Sequence, residues 1–589
     1  MIDFRNTNTL WSSILVETWQ RLGLTTAIIC PGSRSTPLTI AFAQNSKVET
    51  IPILDERSAA FFALGIAKKT GFPVAVVCTS GTASANFFPA IIEAKESKIS
   101  LLILTADRPP EMRGCHAGQA IDQVKLYGNY PNWQTELALP SAETGMLNYL
   151  RQTAIHAWEQ ALFPVPGPVH LNIPFREPLA PIPEIATTAL QAKFSPENFF
   201  DSCHFLPGNN EEYGSKISPK SENFLTDLFH QKYHKILVIA GIAQPQFPEI
   251  YCHAVAQISQ SLGAPVLAEG LSPLRNYSQL NPDLISTYDL ILRNQEIAEK
   301  LTPDIVIQLG ELPISKNLRT WLEDTQPRRW IIDPSDRNFD PLHGKTSHLR
   351  TSVESIASIL FERKFTESSS TNEYLQLWCN TEAKIRTAID QKMNTINNIV
   401  EPKAAWLISQ ILPTATPIFI ANSMPVRDVE FFWVPNNLNI QPFFNRGANG
   451  IDGTLSTALG IAYRNQSSVL LTGDLALLHD TNGFLLKNKF VGHLTIILIN
   501  NNGGGIFEML PIAKFEPTFE EFFATPQNIN FSQLCATYGV EHEIINSWEQ
   551  LKQRLNPLPS SGIRALELQT NRREDAQWRK DNLSKFSYS

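Results

Sequence analysis

The stretch Leu471-Thr-Gly-Asp-Leu475, with its companion Leu498-Ile-Asn-Asn-Asn-Gly-Gly504, decides how this chain is read. In each, a short apolar run ends abruptly in Asp or Asn beside glycine. Such a run suits a strand buried on both faces, whose polar end then emerges at the edge of a sheet. Asp474, Asn500, Asn501 and Asn502 offer hard oxygen ligands. The glycines let backbone amides and carbonyls approach a phosphate and its metal closely. The combination suits a Mg²⁺ ion holding a diphosphate. Asp474 and Asn501 stand 27 positions apart, room for one crossover helix and the next strand.

The same pattern recurs along the chain. Apolar runs ending in Gly, Ser, Asp or Asn occupy 27–30, 74–78, 101–105 and 169–173, then 236–240, 265–268, 305–309 and 330–332, then 417–421, 469–472, 494–499 and 565–568. Helix-length segments separate them, which predicts an α/β protein of open, mainly parallel sheets. Two polar stretches, 207–221 and 362–373, read as linkers. They predict three domains: 1–185, a central Rossmann-like 186–370, and 371–589. No close sequence repeat relates the three. Ligands of open α/β sheets collect beyond the carboxyl ends of the strands, so the chemistry is expected just after each run.

Composition limits the function classes. The chain has 589 residues, 43% hydrophobic and 18% charged, with a net charge of −8 and no dense basic stripe, so nucleic acid is not an expected partner. Its seven cysteines include no Cys-x-x-Cys pair, which argues for a reducing compartment and against a zinc site. No apolar run approaches the roughly 20 residues of a membrane helix, and the first residues do not resemble a signal peptide. A cytoplasmic protein is expected.

Several strand ends carry reactive residue types. Pro31-Gly-Ser-Arg-Ser-Thr-Pro37 joins a tight turn to a helix start, with Ser33 and with Arg34 available for a carboxylate. Glu56, in Leu54-Asp-Glu-Arg-Ser58, opens a helical stretch and reads either as a charge favourable to the helix dipole or as a buried acid. Ser80 lies in Val76-Val-Cys-Thr-Ser-Gly-Thr-Ala83, which helix capping explains as well as ligand binding does. Arg108 follows another run, with Gln119 a short way on. His116 reads as structural or solvated, and His479 as structural. In the last third come Ala421-Asn-Ser-Met-Pro-Val-Arg427 and Asn445-Arg-Gly-Ala-Asn-Gly-Ile-Asp-Gly453, where Ile451 is an apolar residue in a polar loop. No Walker A loop, Gly-x-Ser-x-Gly elbow or His-Glu-x-x-His motif occurs.

Together these motifs resemble thiamine-diphosphate enzymes, although Gly473-Asp474-Leu475 lacks the second glycine of that superfamily's metal motif. Within it, Pro31-Gly-Ser-Arg-Ser-Thr-Pro-Leu38, Asp55-Glu-Arg57, Thr105-Ala-Asp-Arg-Pro-Pro110, Asn445-Arg-Gly-Ala448, Gly450-Ile-Asp-Gly453 and Asn500-Asn-Asn-Gly-Gly-Gly-Ile-Phe507 resemble the 2-succinyl-5-enolpyruvyl-6-hydroxy-3-cyclohexene-1-carboxylate synthase family. The resemblance is thin between about 194 and 300. It implies a pyrimidine-binding, a central and a diphosphate-binding domain. It implies decarboxylation of 2-oxoglutarate and conjugate addition to isochorismate, in menaquinone or phylloquinone biosynthesis. The implied cofactors are thiamine diphosphate and Mg²⁺, with Mn²⁺ as a substitute.

Residue by residue, the resemblance makes Glu56 the catalytic carboxylate on the pyrimidine ring and Ile451 the apolar wedge that bends the cofactor. Asp474, Asn501 and the Gly503 carbonyl are the metal ligands. Ser80, Gly473, Leu475, Ile506 and Phe507 are further cofactor contacts. Ser33, Arg34, Arg108, Gln119, Lys316, Asn422, Ser423, Arg427, Arg446 and Leu510 contact the carboxylate-rich substrates. Where some members have Lys-Arg, this chain has Ser315-Lys-Asn317, leaving Asn317 or Arg319 for the arginine's role. A homodimer or homotetramer is implied, with Glu56 of one copy meeting Asp474 of another. No dinucleotide fingerprint marks the central stretch, so no flavin is expected. The alternatives are another thiamine-diphosphate 2-oxoacid decarboxylase, an acetolactate-type ligase, or a silent module that kept the fold.

Overall fold

The structure, a computed structural model, describes residues 2–201, 203–204, 223–226, 228, 233–362 and 372–588. The stretch 207–221 and nearly all of 362–373, read above as linkers, lie outside the described residues.

The apolar runs form parallel sheets. The first sheet holds β1 (Thr26–Ile29), β2 (Glu49–Pro52), β3 (Val74–Cys78), β4 (Leu101–Asp107), β5 (Trp133–Glu136) and β6 (Pro168–Pro174), in the order β2-β1-β3-β4-β6-β5. The second holds β7 (Ile236–Ala240), β8 (Val266–Ala268), β9 (Leu284–Ile285), β10 (Ile305–Leu309), β11 (Arg328–Ile332) and β12 (Thr346–Leu349). Read from β9, its order is β9-β8-β7-β10-β11-β12, the 3-2-1-4-5-6 arrangement of a doubly wound sheet. The third holds β13 (Pro417–Ile420), β14 (Gln441–Phe443), β15 (Ser468–Gly473), β16 (His493–Asn500), β17 (Glu541–Ile544) and β18 (Gly562–Gln569), in the order β14-β13-β15-β16-β18-β17. First and third sheets therefore share one strand order. The twelve apolar runs are the four interior strands of each sheet.

Helices cover the sheets because their apolar stripes have nowhere else to go. Over the first sheet, Trp11 and Trp19 of helix Thr7–Leu22 and Leu147 and Leu150 of helix Thr144–Leu162 share one core with Val77, Leu104 and Leu171. Burying each large apolar side chain stabilises by about 1.5–3 kcal/mol.

The chain forms two compact units. One comprises Met1–Asn209, Asn445–Asn465 and Leu477–Gly492; the other comprises Asn210–Phe444, Gln466–Ala476 and His493–Ser589. Within the first unit, helix Glu56–Thr70 crosses helix Thr454–Ala462 backbone to backbone. A Cβ at Gly65 would lie 2.1 Å from the Thr457 carbonyl oxygen, and one at Gly460 would lie 2.2 Å from the Phe62 carbonyl oxygen. Only glycines permit that approach.

Gly460→Val is expected to lower unfolding stability by at least about 1–3 kcal/mol, the usual penalty of overpacking. Gly145→Ala meets no neighbour within 4 Å and is expected to stay within about 1 kcal/mol of the parent. Urea unfolding midpoints of both variants check this; equal midpoints would show that the crossing tolerates side chains.

Candidate active site

The residues singled out in the sequence fall into two sets, one in each unit. In the first unit they gather after strands of the first sheet. Arg34, 4% exposed, donates Nη1 to the Phe175 carbonyl at 2.9 Å and pairs with Glu177 at 3.3 Å, while its Nε has no hydrogen-bond partner among the described residues. Its turn is tight: a Cβ at Gly32 would lie 2.3 Å from Thr79 Cβ. Ser33 beside it is exposed. Ser80 is buried with no partner for its Oγ among the described residues. Arg108 donates Nε and Nη2 to the Gly118 carbonyl at 3.1 and 2.8 Å, which closes the loop carrying exposed Gln119. The Gln119 backbone in turn lies against Gly81. Ser80, Arg108 and Gln119 are thus brought together.

Glu56 opens helix Glu56–Thr70, whose cap is Asp55, accepting from the Ser58 amide at 2.8 Å. That helix end is held in place from several sides. Arg57 Nη2 donates to the His479 carbonyl at 2.7 Å, and Asn482 Nδ2 donates to Asp55 at 2.7 Å. Asp480, fully buried, accepts from the Ser456 amide at 2.7 Å, and burial pushes its carboxyl up to about 6. The Glu56 carboxylate is half-buried and makes no hydrogen bond or ion pair among the described residues. The His479 side chain, expected to be structural, is exposed; it is the residue's carbonyl that holds Arg57.

The loop carrying Arg446 and Ile451 belongs to this unit as well. Buried Glu93 accepts from the Gly447 and Ala448 amides at 3.1 and 2.7 Å, with Lys68 Nζ at 3.7 Å. Ile451 is half-buried, and its carbonyl accepts from Thr454 Oγ1 at 2.7 Å. Sequence reading missed Glu93: it sits mid-helix in Phe88–Glu96 with no local mark of a partner far along the chain.

In the second unit β15 delivers Asp474 and β16 delivers Asn501. Asp474, 4% exposed, accepts from the Leu475 amide at 2.7 Å and from the Gly503 amide at 2.9 Å. Burial pushes its carboxyl up to about 6, against the pull of those two amides, and nearby Glu401 adds to the rise. A cation beside it would reverse that imbalance. Asn501, 8% exposed, has its Oδ1 buried with no partner among the described residues. Gly503 adopts φ 142°, and a Cβ there would lie 2.4 Å from the Ala524 carbonyl oxygen. Its own carbonyl accepts one hydrogen bond, from Gly505, at 2.9 Å, leaving a lone pair.

Asn500 and Asn502, offered by the sequence as equivalent ligands, are engaged elsewhere. Asn500 Nδ2 donates to Glu567 at 2.7 Å, and the Asn502 amide pairs with Asn528 at 2.8 and 3.0 Å. Among the described residues, no group of three His, Cys, Asp or Glu could hold a metal ion. The donor set at this turn is instead one carboxylate, one unpaired amide oxygen and one backbone carbonyl. Oxygen donors of this kind suit a hard divalent cation such as Mg²⁺ or Mn²⁺. The residues present fit a metal-held diphosphate.

Around it, Gly473 and Leu475 flank Asp474. Ile506 and Phe507 are half-buried on the turn Gly505–Met509, and Leu510 just beyond it is exposed. Asn422 and Ser423 follow β13. Ser423 is held at φ 71°, ψ −127°, a conformation rarely tolerated outside glycine, and its carbonyl accepts from Arg427 Nη1 at 2.6 Å. Lys316 is exposed at the start of helix Lys316–Thr325. Of the two candidates for the family arginine's role, Asn317 Nδ2 donates to Asp289 at 3.1 Å, and Arg319 Nε donates to the Pro313 carbonyl at 3.0 Å.

Comparison with known proteins identifies the family. Residues 11–126 match the family described as thiamine pyrophosphate enzyme, N-terminal TPP binding domain, and residues 210–420 match the middle domain of thiamine pyrophosphate enzymes. The chain is 69% identical to 2-succinyl-5-enolpyruvyl-6-hydroxy-3-cyclohexene-1-carboxylate synthase of Trichodesmium erythraeum, covering 99% of each chain. It is 66% identical to the enzyme of that name from Gloeothece citriformis, covering 100% of this chain and 99% of the relative. With that identity over essentially its whole length, the chain belongs to the 2-succinyl-5-enolpyruvyl-6-hydroxy-3-cyclohexene-1-carboxylate synthase family of thiamine pyrophosphate enzymes.

Proposed function

We propose that the chain catalyses thiamine-diphosphate-dependent decarboxylation of 2-oxoglutarate and conjugate addition of the resulting succinyl group to isochorismate, releasing CO₂, on the route to menaquinone or phylloquinone. The observation that carries this reading is the turn after β15 and β16, where a buried carboxylate and an unpaired amide oxygen sit beside glycines. Full-length relatives bearing the synthase name support it.

When bound, thiamine diphosphate supplies the electron sink for decarboxylating a 2-oxoacid. The Asp474 carboxylate, Asn501 Oδ1 and the Gly503 carbonyl hold Mg²⁺ or Mn²⁺, and Gly473 and Leu475 place backbone beside the diphosphate. Glu56 holds a proton at a pyrimidine ring nitrogen, a role suited to a carboxylate with no partner of its own. Ile451 would support the cofactor with an apolar side chain, and Ser80 would contact it. The substrates carry several carboxylates, so they need cations and polar hydrogens. Arg34, Arg108, Arg427, Arg446 and Lys316 supply the charge; Ser33, Gln119, Asn422 and Ser423 supply neutral hydrogen bonds. Ile506, Phe507 and Leu510 exclude water from the reacting carbon. The active form is a homodimer or homotetramer in the cytoplasm, with the first domain of one copy and the last of another closing on each cofactor. Among the described residues no helix is long and apolar enough to cross a membrane.

Mass spectrometry of the product from 2-oxoglutarate, isochorismate, Mg²⁺ and thiamine diphosphate is expected to show the named carboxylate. Full-rate CO₂ release without isochorismate would favour a simple decarboxylase, and absence of any turnover a silent module. Glu56→Gln is expected to slow turnover by about 10²–10⁴-fold, the range of general acid–base catalysis, with cofactor retention largely kept; parent-like turnover would refute its role. Asp474→Ala is expected to weaken Mg²⁺-dependent cofactor binding by about 100-fold, the upper end of what losing even an outer-shell partner does. A calorimetric titration with unchanged affinity would reject the metal assignment.

A further inference from the structure

Behind Asn501 lies a buried set of charges that the proposed chemistry does not use. Arg579, 1% exposed, donates Nε to Asp428 at 2.9 Å and Nη2 to Glu401 Oε2 at 2.6 Å. Glu401 opens helix Glu401–Ile411, and its second oxygen, Oε1, accepts from Asn501 Nδ2 at 2.5 Å and from Thr570 Oγ1 at 3.4 Å. Nothing local marks Glu401, because an acidic residue at a helix start is ordinary.

The geometry has a chemical consequence. A side-chain amide has one donating end and one accepting end, whereas a carboxylate only accepts. Glu401 is tied to Arg579, which is always charged, and so meets Asn501 as an acceptor. The Asn501 amide must turn its NH₂ group inward. Its oxygen is then left at the other end of the amide, buried and without a partner among the described residues. An unsatisfied buried acceptor is unfavourable unless something else takes up its lone pairs. We propose that Glu401 is a positioning residue. It fixes the orientation of the Asn501 amide so that oxygen, not nitrogen, is presented to the divalent cation, and Arg579, itself anchored on Asp428, holds the other Glu401 oxygen in place. This rests on the reading of Asn501 as a metal ligand given under Proposed function.

The test reads metal binding directly. Mn²⁺ is titrated into the full chain with saturating thiamine diphosphate, and free Mn²⁺ is followed by electron paramagnetic resonance for the parent, N501A, E401Q and E401Q/N501D. In E401Q the introduced amide keeps its oxygen on Arg579 and turns its NH₂ toward Asn501, which must flip. Mn²⁺ affinity is expected to fall by about 10–100-fold, as for other outer-shell partners. In E401Q/N501D the introduced carboxylate accepts from the introduced amide with one oxygen and offers the other to the cation. Net charge is kept, and Mn²⁺ binding is expected to return. A structural role alone would make the double variant worse, not better. Unchanged affinity in E401Q beside a weakened N501A overturns the inference while leaving the metal site intact. Unchanged affinity in N501A overturns the metal assignment itself. Where E401Q is too unstable to titrate, a folded double variant that fails to bind Mn²⁺ overturns the proposal.

Discussion

A strand covered on both faces has no room for a charge except at its ends. That constraint organises this molecule. β3, β4, β6, β10 and β13 are buried along their whole length, so the polar groups gather where the strands stop. Arg34 follows β1, Ser80 follows β3, Arg108 follows β4, Asp474 follows β15 and Asn501 follows β16. Several charges that do enter the interior are paired: Lys68 with Glu93, Arg275 with Glu430, and Arg579 with two carboxylates, Asp428 and Glu401. Removing one member of such a set leaves an uncompensated charge, worth about 3–5 kcal/mol.

The same constraint explains what was legible in the amino-acid order. Interior strands are largely apolar on both sides and stand out as short apolar runs, even with His170, Asn172, Gln308 and Glu567 buried within them. β2, β5, β9, β12, β14 and β17 form the two edges of each sheet, and none was visible beforehand. β5 and β17 contain no buried residue, so their composition carries no strand-like signature. At the candidate site, the strand-end motifs could be placed from sequence. Among three consecutive asparagines the residue types alone favoured none, and only the resemblance chose Asn501; their partners Glu567, Asn528 and Glu401 each lie far along the chain. Nor could local order show that 445–465 and 477–492 join the first compact unit.

The first and third sheets have one strand order with no visible sequence repeat. Their corresponding strand ends carry different chemistry. Arg34, Ser80 and Arg108 follow β1, β3 and β4; Asn422, Asp474 and Asn501 follow the equivalent β13, β15 and β16. One scaffold presents hydroxyl and guanidinium groups, the other carboxylate and amide groups. Function here is written on strand ends, while the topology beneath is held constant.

The contact between Gly65 and Gly460 has a mechanical side. Most helix pairs meet through side chains, whose rotamers take up small displacements as a cushion would. Here main chain rests on main chain, and no rotor lies between to absorb a push. The helix that begins at Glu56 and the helix that follows Ile451 therefore act as a single stiff lever, with little compliance at their crossing point.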